Sequence, residues 1–111
     1  MAKWIALKSN TEFRTLYYRG KSRVDPALVT YVRKNRLGVP RVGITTGKKL
    51  GNAVQRNRCR RVIREAFRQQ PPITGGFDIV FVARGRTLAY KSTQLAPIMA
   101  RHLNALGVLP L

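Results

Sequence analysis

Acidic residues are scarce in this chain. Of its 111 residues only Glu12, Asp25, Glu65 and Asp78 are acidic, against 22 lysines and arginines, for a formal net charge of +18. Four carboxylates so far apart along the chain are poor material for the clustered acid ligands of a metal-dependent nuclease. Cysteine occurs once. A lone Cys59 excludes an internal disulfide framework and a CxxC zinc site, and it fits a reducing, cytosolic setting. The one histidine, His102, has no cysteine, histidine or carboxylate near it in sequence, which argues against a metal role. No apolar run approaches the ~20 residues of a membrane span. The apolar stretch in MAKWIALKSN is too short for a secretory signal. The expected location is the cytoplasm, with no membrane partner.

The chain nevertheless carries the material of a fold. Apolar residues make up 44% of it, which suits a packed domain rather than a disordered basic tail. The length fits a single domain over residues 1–111 with a modest core. No repeats or low-complexity tracts interrupt it.

Periodicity divides the chain into elements. Residues 11–18 (TEFRTLYY) place Phe13, Leu16 and Tyr17 at helical spacing, with Asn10 as cap and Gly20 to close the C-terminal end. Residues 27–34 (ALVTYVRK) and 41–46 (RVGITT) read as strands, separated by a Gly- and Pro-containing loop that suggests an antiparallel pair. Residues 21–24 add a short edge strand. A long helix starts near Asn52 and runs to about Gln70, where Pro71 and Pro72 forbid continuation. FDIVFVAR, residues 77–84, is apolar enough to lie centrally in the sheet. A last helix covers about 92–106, with Pro97 kinking it or marking its true start. The expected class is α+β: a small mixed sheet of about four strands with helices packed on it.

The charge concentrates on the long helix. Eight of the 22 cations fall between Lys48 and Arg68, and Glu65 is the only acid among them. On a helical wheel Cys59, Val62, Ile63, Ala66 and Phe67 form one apolar arc, which makes Cys59 a core residue rather than a reactive thiol. Arg56, Arg60, Arg64 and Arg68 run along one flank at i, i+4. Asn57 and Arg61 lie beside them, and Arg58 further round. A solvated helix face mixes signs, because like charges at i, i+4 repel. A face that carries this repulsion along its length points to a polyanion. Arginine outnumbers lysine here by six to two, which suits bidentate phosphate contact and stacking on bases. The glycines and lysines at 47–51 do not match a Walker phosphate loop, so no small-molecule substrate is indicated.

The stretch RVGITTGKKLGNAVQRNRCRRVIREAF, with Arg56–Asn57–Arg58 following Gly51–Asn52–Ala53–Val54, resembles the signature region of the bacterial ribonuclease P protein subunit. NTEFRTLYYRGKS and FDIVFVARG are similar to that family's first helix and last strand, so the resemblance covers nearly the whole chain. It implies a ribosomal-protein-like α/β sandwich with a left-handed βαβ crossover. It implies the accessory subunit of a ribonucleoprotein whose RNA, with Mg²⁺ at the RNA active site, removes the 5′ leader of precursor tRNA. The protein itself would hold no cofactor, metal or catalytic residue. Its implied partners are the catalytic RNA and the precursor-tRNA leader. By the same resemblance Arg56, Asn57, Arg58 and Arg61, with Lys48 and Lys49 before them, would contact the catalytic RNA. Arg68 continues that helix face. Phe13, Tyr17, Tyr31, Thr45, Arg60 and Arg64 would line the leader cleft, between the long helix and the sheet. Gly47 departs from the family, where Ser or Ala is common, and Tyr17 replaces a frequent phenylalanine. Composition alone leaves two other readings open: a ribosomal or ribosome-assembly protein, and a cationic protein of membrane surfaces.

Overall fold

A strand with apolar residues on both faces must be covered on both faces, and FDIVFVA takes the centre of the sheet. The computed structural model describes residues 5–7 and 9–109. The signal-segment reading therefore lies partly outside the described residues. The strands are β1 (Ile5–Ala6), β2 (Lys21–Asp25), β3 (Leu28–Lys34), β4 (Arg41–Thr45) and β5 (Phe77–Ala83), in the order β1-β4-β5-β3-β2. The helices are α1 (Asn10–Arg19), α2 (Ala53–Arg68) and α3 (Ser92–Ala105).

Two expectations about the sheet change. It has five strands rather than four, because Ile5 and Ala6 pair in parallel with Arg41 and Val42. Two residues are too short a run to show alternation in the sequence. The strands of residues 27–34 and 41–46 do not pair with each other. β5 lies between them, antiparallel to β3 and parallel to β4. The parallel β4–β5 pair requires a long crossover, which α2 supplies.

Helix ends follow local chemistry. Asn52 caps α2 in a reciprocal box: its side chain accepts from the Gln55 N–H at 2.9 Å, and the Gln55 side chain accepts from the Asn52 N–H at 2.9 Å. α2 stops at Arg68, and the Gln70 side chain donates to the carbonyls of Ala66 and Ala96, tying the helix end to α3. α1 begins at Asn10 with Ser9 in the cap position. Pro97 does not start α3 but sits inside it.

The sheet has two unlike faces. Leu28, Val32, Val42, Ile79 and Phe81 point to one of them and form the main core with α2 and α3. Phe67 of α2 meets Phe81 at a ring-centroid distance of 5.6 Å. Each such large side chain, fully buried, contributes roughly 1.5–3 kcal/mol. His102 lies in this core, and its Nδ1 shares a 2.8 Å hydrogen bond with Thr30. Burial lowers its pKa first, with Arg101 and Arg23 adding to that against Asp25. The lone histidine is thus a satisfied core residue. The second face carries a smaller cluster of Leu7, Leu16 and Val80, with Phe13, Tyr31 and Val82 half-buried against it. Among the described helices, α1 alone packs there.

Gly20 ends α1, but its backbone is extended rather than left-handed. The glycine serves close approach: a Cβ there would stand 2.5 Å from the Leu16 carbonyl oxygen and 3.0 Å from that of Val32. Both obstacles are backbone and cannot rotate away. Gly20→Ala is expected to destabilise the fold by about 1–3 kcal/mol, seen as a lower urea midpoint with an unchanged m-value.

Candidate nucleic-acid interface

α2 turns its apolar arc inward and its arginines outward. Cys59, Ile63, Ala66 and Phe67 are buried, while Arg58, Arg60, Arg61, Arg64 and Arg68 are exposed and Arg56 is half-buried. Burial pushes the Cys59 thiol up, and the Arg58 charge only partly opposes it, so the thiol stays neutral. Within α2 the Arg60 guanidinium donates to Asn57 at 3.3 Å and Arg68 to Glu65 at 2.6 Å. Among the described residues the guanidinium groups of Arg56, Arg58, Arg61 and Arg64 have no hydrogen bond or ion pair. Lys48 and Lys49, exposed in a short 3-10 turn before α2, have none either.

A second surface lies across the sheet. Along the α1 face the register places Val24, Val29, Val82 and Thr45 in one row and Ser22, Tyr31, Val80 and Gly43 in the next. α1 covers the second row. Phe13 lies over Gly43, where a Cβ would stand 2.4 Å from the Phe13 ring. Tyr17 meets Tyr31 edge-on at 4.9 Å. The first row stays open, with Val24 66% exposed. It floors a groove made of two adjoining hollows. Asn10, Phe13, Arg14, Tyr17 and Thr45 line one. Val29, Val82, Lys49, Leu50, Arg84 and Gly85 are among those lining the other.

The structure therefore gathers Phe13, Tyr17, Tyr31 and Thr45, and it does not bring Arg60 and Arg64 to them. Those two line a separate hollow of about 350 Å³ at the β1–β4 edge, with Ala6, Leu7, Val42 and Ile44. The reason is strand alternation. Gly43 and Thr45 face α1, whereas Val42 and Ile44 face α2. Lys49 stands at the groove's end rather than on the α2 face. The sequence reading missed Arg14, Arg84, Val29 and Val82 as groove residues. The available signal was the period-two valines of β3 and β5, which leave Val29 and Val82 on the face that also carries Tyr31.

Residues 1–107 match the family Ribonuclease P. The chain belongs to that family. It is 48% identical over 80 residues to the ribonuclease P protein component of Clostridioides difficile, covering 70% of each chain. It is 46% identical over 81 residues to that of Clostridium kluyveri, covering 70% of this chain and 72% of the other. The solved RNase P protein of Staphylococcus aureus superposes with a TM-score of 0.82 at 32% identity, over 96% of this chain and 98% of that one.

In this ribonuclease P family member the wall of the groove is held by one arginine. Arg41 of β4 donates from Nε and Nη2 to the two carboxylate oxygens of Asp78 on β5, at 2.8 and 2.7 Å, and also pairs with Glu12 of α1. Asn35 adds a 2.8 Å donor to Asp78. The Arg41 guanidinium is held above its usual value, first by the hydrogen bond to Asp78. Burial pushes the Asp78 carboxyl up, but the hydrogen bonds from Arg41 and Asn35 and the charges of Arg41 and Arg33 outweigh it and hold the group below its usual value. Glu12 immediately precedes Phe13, so the same arginine seats the groove's aromatic wall.

A carboxylate held below its ordinary pKa contributes stability above that ordinary value, about 3.9 for aspartate. The contribution is lost as pH falls through the lower, folded value. Acid titration followed by circular dichroism should show the native chain losing stability below about pH 4. Asp78→Asn should lack that component. Arg41→Met, which strands a mostly buried carboxylate, is expected to cost on the order of 3 kcal/mol at pH 7.

Proposed function

We propose that the chain is the protein subunit of the cytoplasmic ribonuclease P ribonucleoprotein, binding the catalytic RNA and the 5′ leader of precursor tRNA during leader removal. Family membership ties it to ribonuclease P and to tRNA processing. The observation that carries the finer reading is the pairing of two unlike surfaces on opposite sides of one sheet. The outer face of α2 is a row of guanidinium groups, those of Arg56, Arg58, Arg61 and Arg64 without a partner among the described residues, and such a row is fitted to the phosphates of a structured RNA. The groove combines an apolar floor, edge-exposed tyrosines and flanking Arg14, Lys49 and Arg84, the make-up of a site for a single strand.

The chemistry is assigned to the RNA and its Mg²⁺, because the chain's own reactive groups are committed elsewhere. Glu12 and Asp78 hold Arg41, Glu65 holds Arg68, and the Asp25 carboxylate accepts from the Ala27 N–H at 2.9 Å. Cys59 and His102 are core residues. The membrane-surface reading loses its support because the apolar arc of α2 is used in the core, and among the described residues no helix is long and apolar enough to cross a membrane.

Reconstitution tests the reading: the purified chain is added to a bacterial ribonuclease P RNA at low Mg²⁺ and precursor-tRNA cleavage is followed. Activation is expected, and cleavage by the chain without RNA would sink the assignment of the chemistry. Binding to the catalytic RNA should weaken steeply with salt. Arg58→Ala or Arg61→Ala should each make the slope of log K against log salt shallower by about one. An unchanged slope in both would make the arginine face a solvated one.

The leader test uses Tyr17, which is 41% exposed, because Phe13 is also part of the small core. Tyr17→Ala should weaken holoenzyme binding to long-leader substrate by ~1–3 kcal/mol, the worth of one base stack, and leave mature tRNA unaffected. Arg64→Ala, on the other side of β4, should keep the preference for long leaders. Loss of that preference in Arg64→Ala but not in Tyr17→Ala would move the leader to the β1–β4 edge.

A further inference from the structure

A third basic surface lies at the opposite end of the sheet from the groove's open row. A hollow of about 410 Å³ opens there between the end of α1, the β2–β3 edge and the turn after α3. That volume lies in the range of clefts that hold small ligands, about 300–1,000 Å³. Its floor is apolar: Val32, the half-buried ring of Phe77, and Leu106. Its rim carries Arg19, Lys21, Arg33 and Lys34, all exposed, and no acid lines it. Arg33 lies across from Asp78 in the β3–β5 register, and its charge acts on that carboxyl. Among the described residues the side chains of Arg19, Lys21 and Lys34 have no hydrogen bond or ion pair.

We propose that this hollow is a second docking point for the catalytic RNA, taking one unpaired nucleotide with its base on Phe77 and Leu106 and its flanking phosphates on Arg19, Lys21 and Lys34. An aromatic floor inside a cationic rim is the combination that binds an unstacked base. The side of the sheet selects the RNA. Lys21 is the register partner of Val32, and Lys34 that of Phe77. Val32 and Phe77 belong to the main core that α2 and α3 cover, so these lysines project to that side, while Arg19 and Arg33 close the hollow from the α1 side. Phe77 and Val82, the latter on the groove floor, stand roughly 17 Å apart along β5. The RNA that meets α2 is therefore the one in reach of the hollow. The inference rests on α2 binding the catalytic RNA, and it extends that contact across the sheet to its β2–β3 edge.

The test uses the full chain and a bacterial ribonuclease P RNA. Lys21→Gln/Lys34→Gln changes only exposed positions. It should make the salt slope of binding shallower by about 1.5, the value for two lost phosphate contacts. Phe77→Leu keeps the apolar floor but removes the ring. It should weaken binding at least fivefold with the slope unchanged, after circular dichroism shows it folded. A native slope in the double variant together with native affinity in Phe77→Leu would overturn the proposal. So would a defect confined to precursor-tRNA binding by preassembled holoenzyme, which would hand the hollow to the substrate. Arg58→Ala, measured in parallel, separates the two readings. If it alone keeps the native slope, the α2 assignment fails while the hollow stands as an RNA contact.

Discussion

The structure depends on a single guanidinium. In a chain of net charge +18 with four acids, two of those acids, Glu12 and Asp78, converge on Arg41. The pair with Asp78 is bidentate and mostly out of water, where charge-assisted hydrogen bonds are strong and an unpaired partner is costly. It links the two parallel strands β4 and β5. Through Glu12 it also fixes α1 to the sheet, and Asn35, bound to Asp78, donates to the Val39 carbonyl and orders the β3–β4 loop. α1 buries few residues of its own, with Leu16 the only fully buried one. The ion pair therefore has a large share in deciding where Phe13 and Tyr17 stand.

The apolar side of the fold explains why so much like charge is tolerated. α2 has an arc of four buried residues packed on β5 and α3, and a reciprocal cap at its start. These hold the helix while its outer face repels itself. Under the proposed function, phosphates relieve that repulsion, and free energy withheld in folding is returned on binding. The groove works differently. Its floor is apolar because, among the described helices, α1 alone covers that face of the sheet and leaves a row of valines uncovered.

Much of the interface was legible from local pattern. The arginine series, the buried arc with Cys59, the Asn52 cap and the central position of FDIVFVA all follow from spacing, because each depends on neighbours within a turn or a strand. The pairing of β4 with β5 rather than β3 was not legible, since a parallel partner lies beyond a helix and leaves no local trace. The strand at Ile5–Ala6 was missed because two residues carry no period. The convergence of Glu12 and Asp78 on Arg41 joins residues 66 positions apart in sequence, and nothing at either end announces the other.

The residue-level assignment to a leader cleft shows where sequence stops. Phe13, Tyr17, Tyr31 and Thr45 do share a surface, while Arg60 and Arg64 face a hollow on the other side of β4. By itself the sequence pointed to a polyanion and determined which helix presents the arginines and which side of that helix is buried, because charge and period are local quantities. Only the tertiary structure decided which aromatic and basic groups look into the same space. That depends on which face of the sheet each helix covers, and the choice is made by long-range burial and by one ion pair.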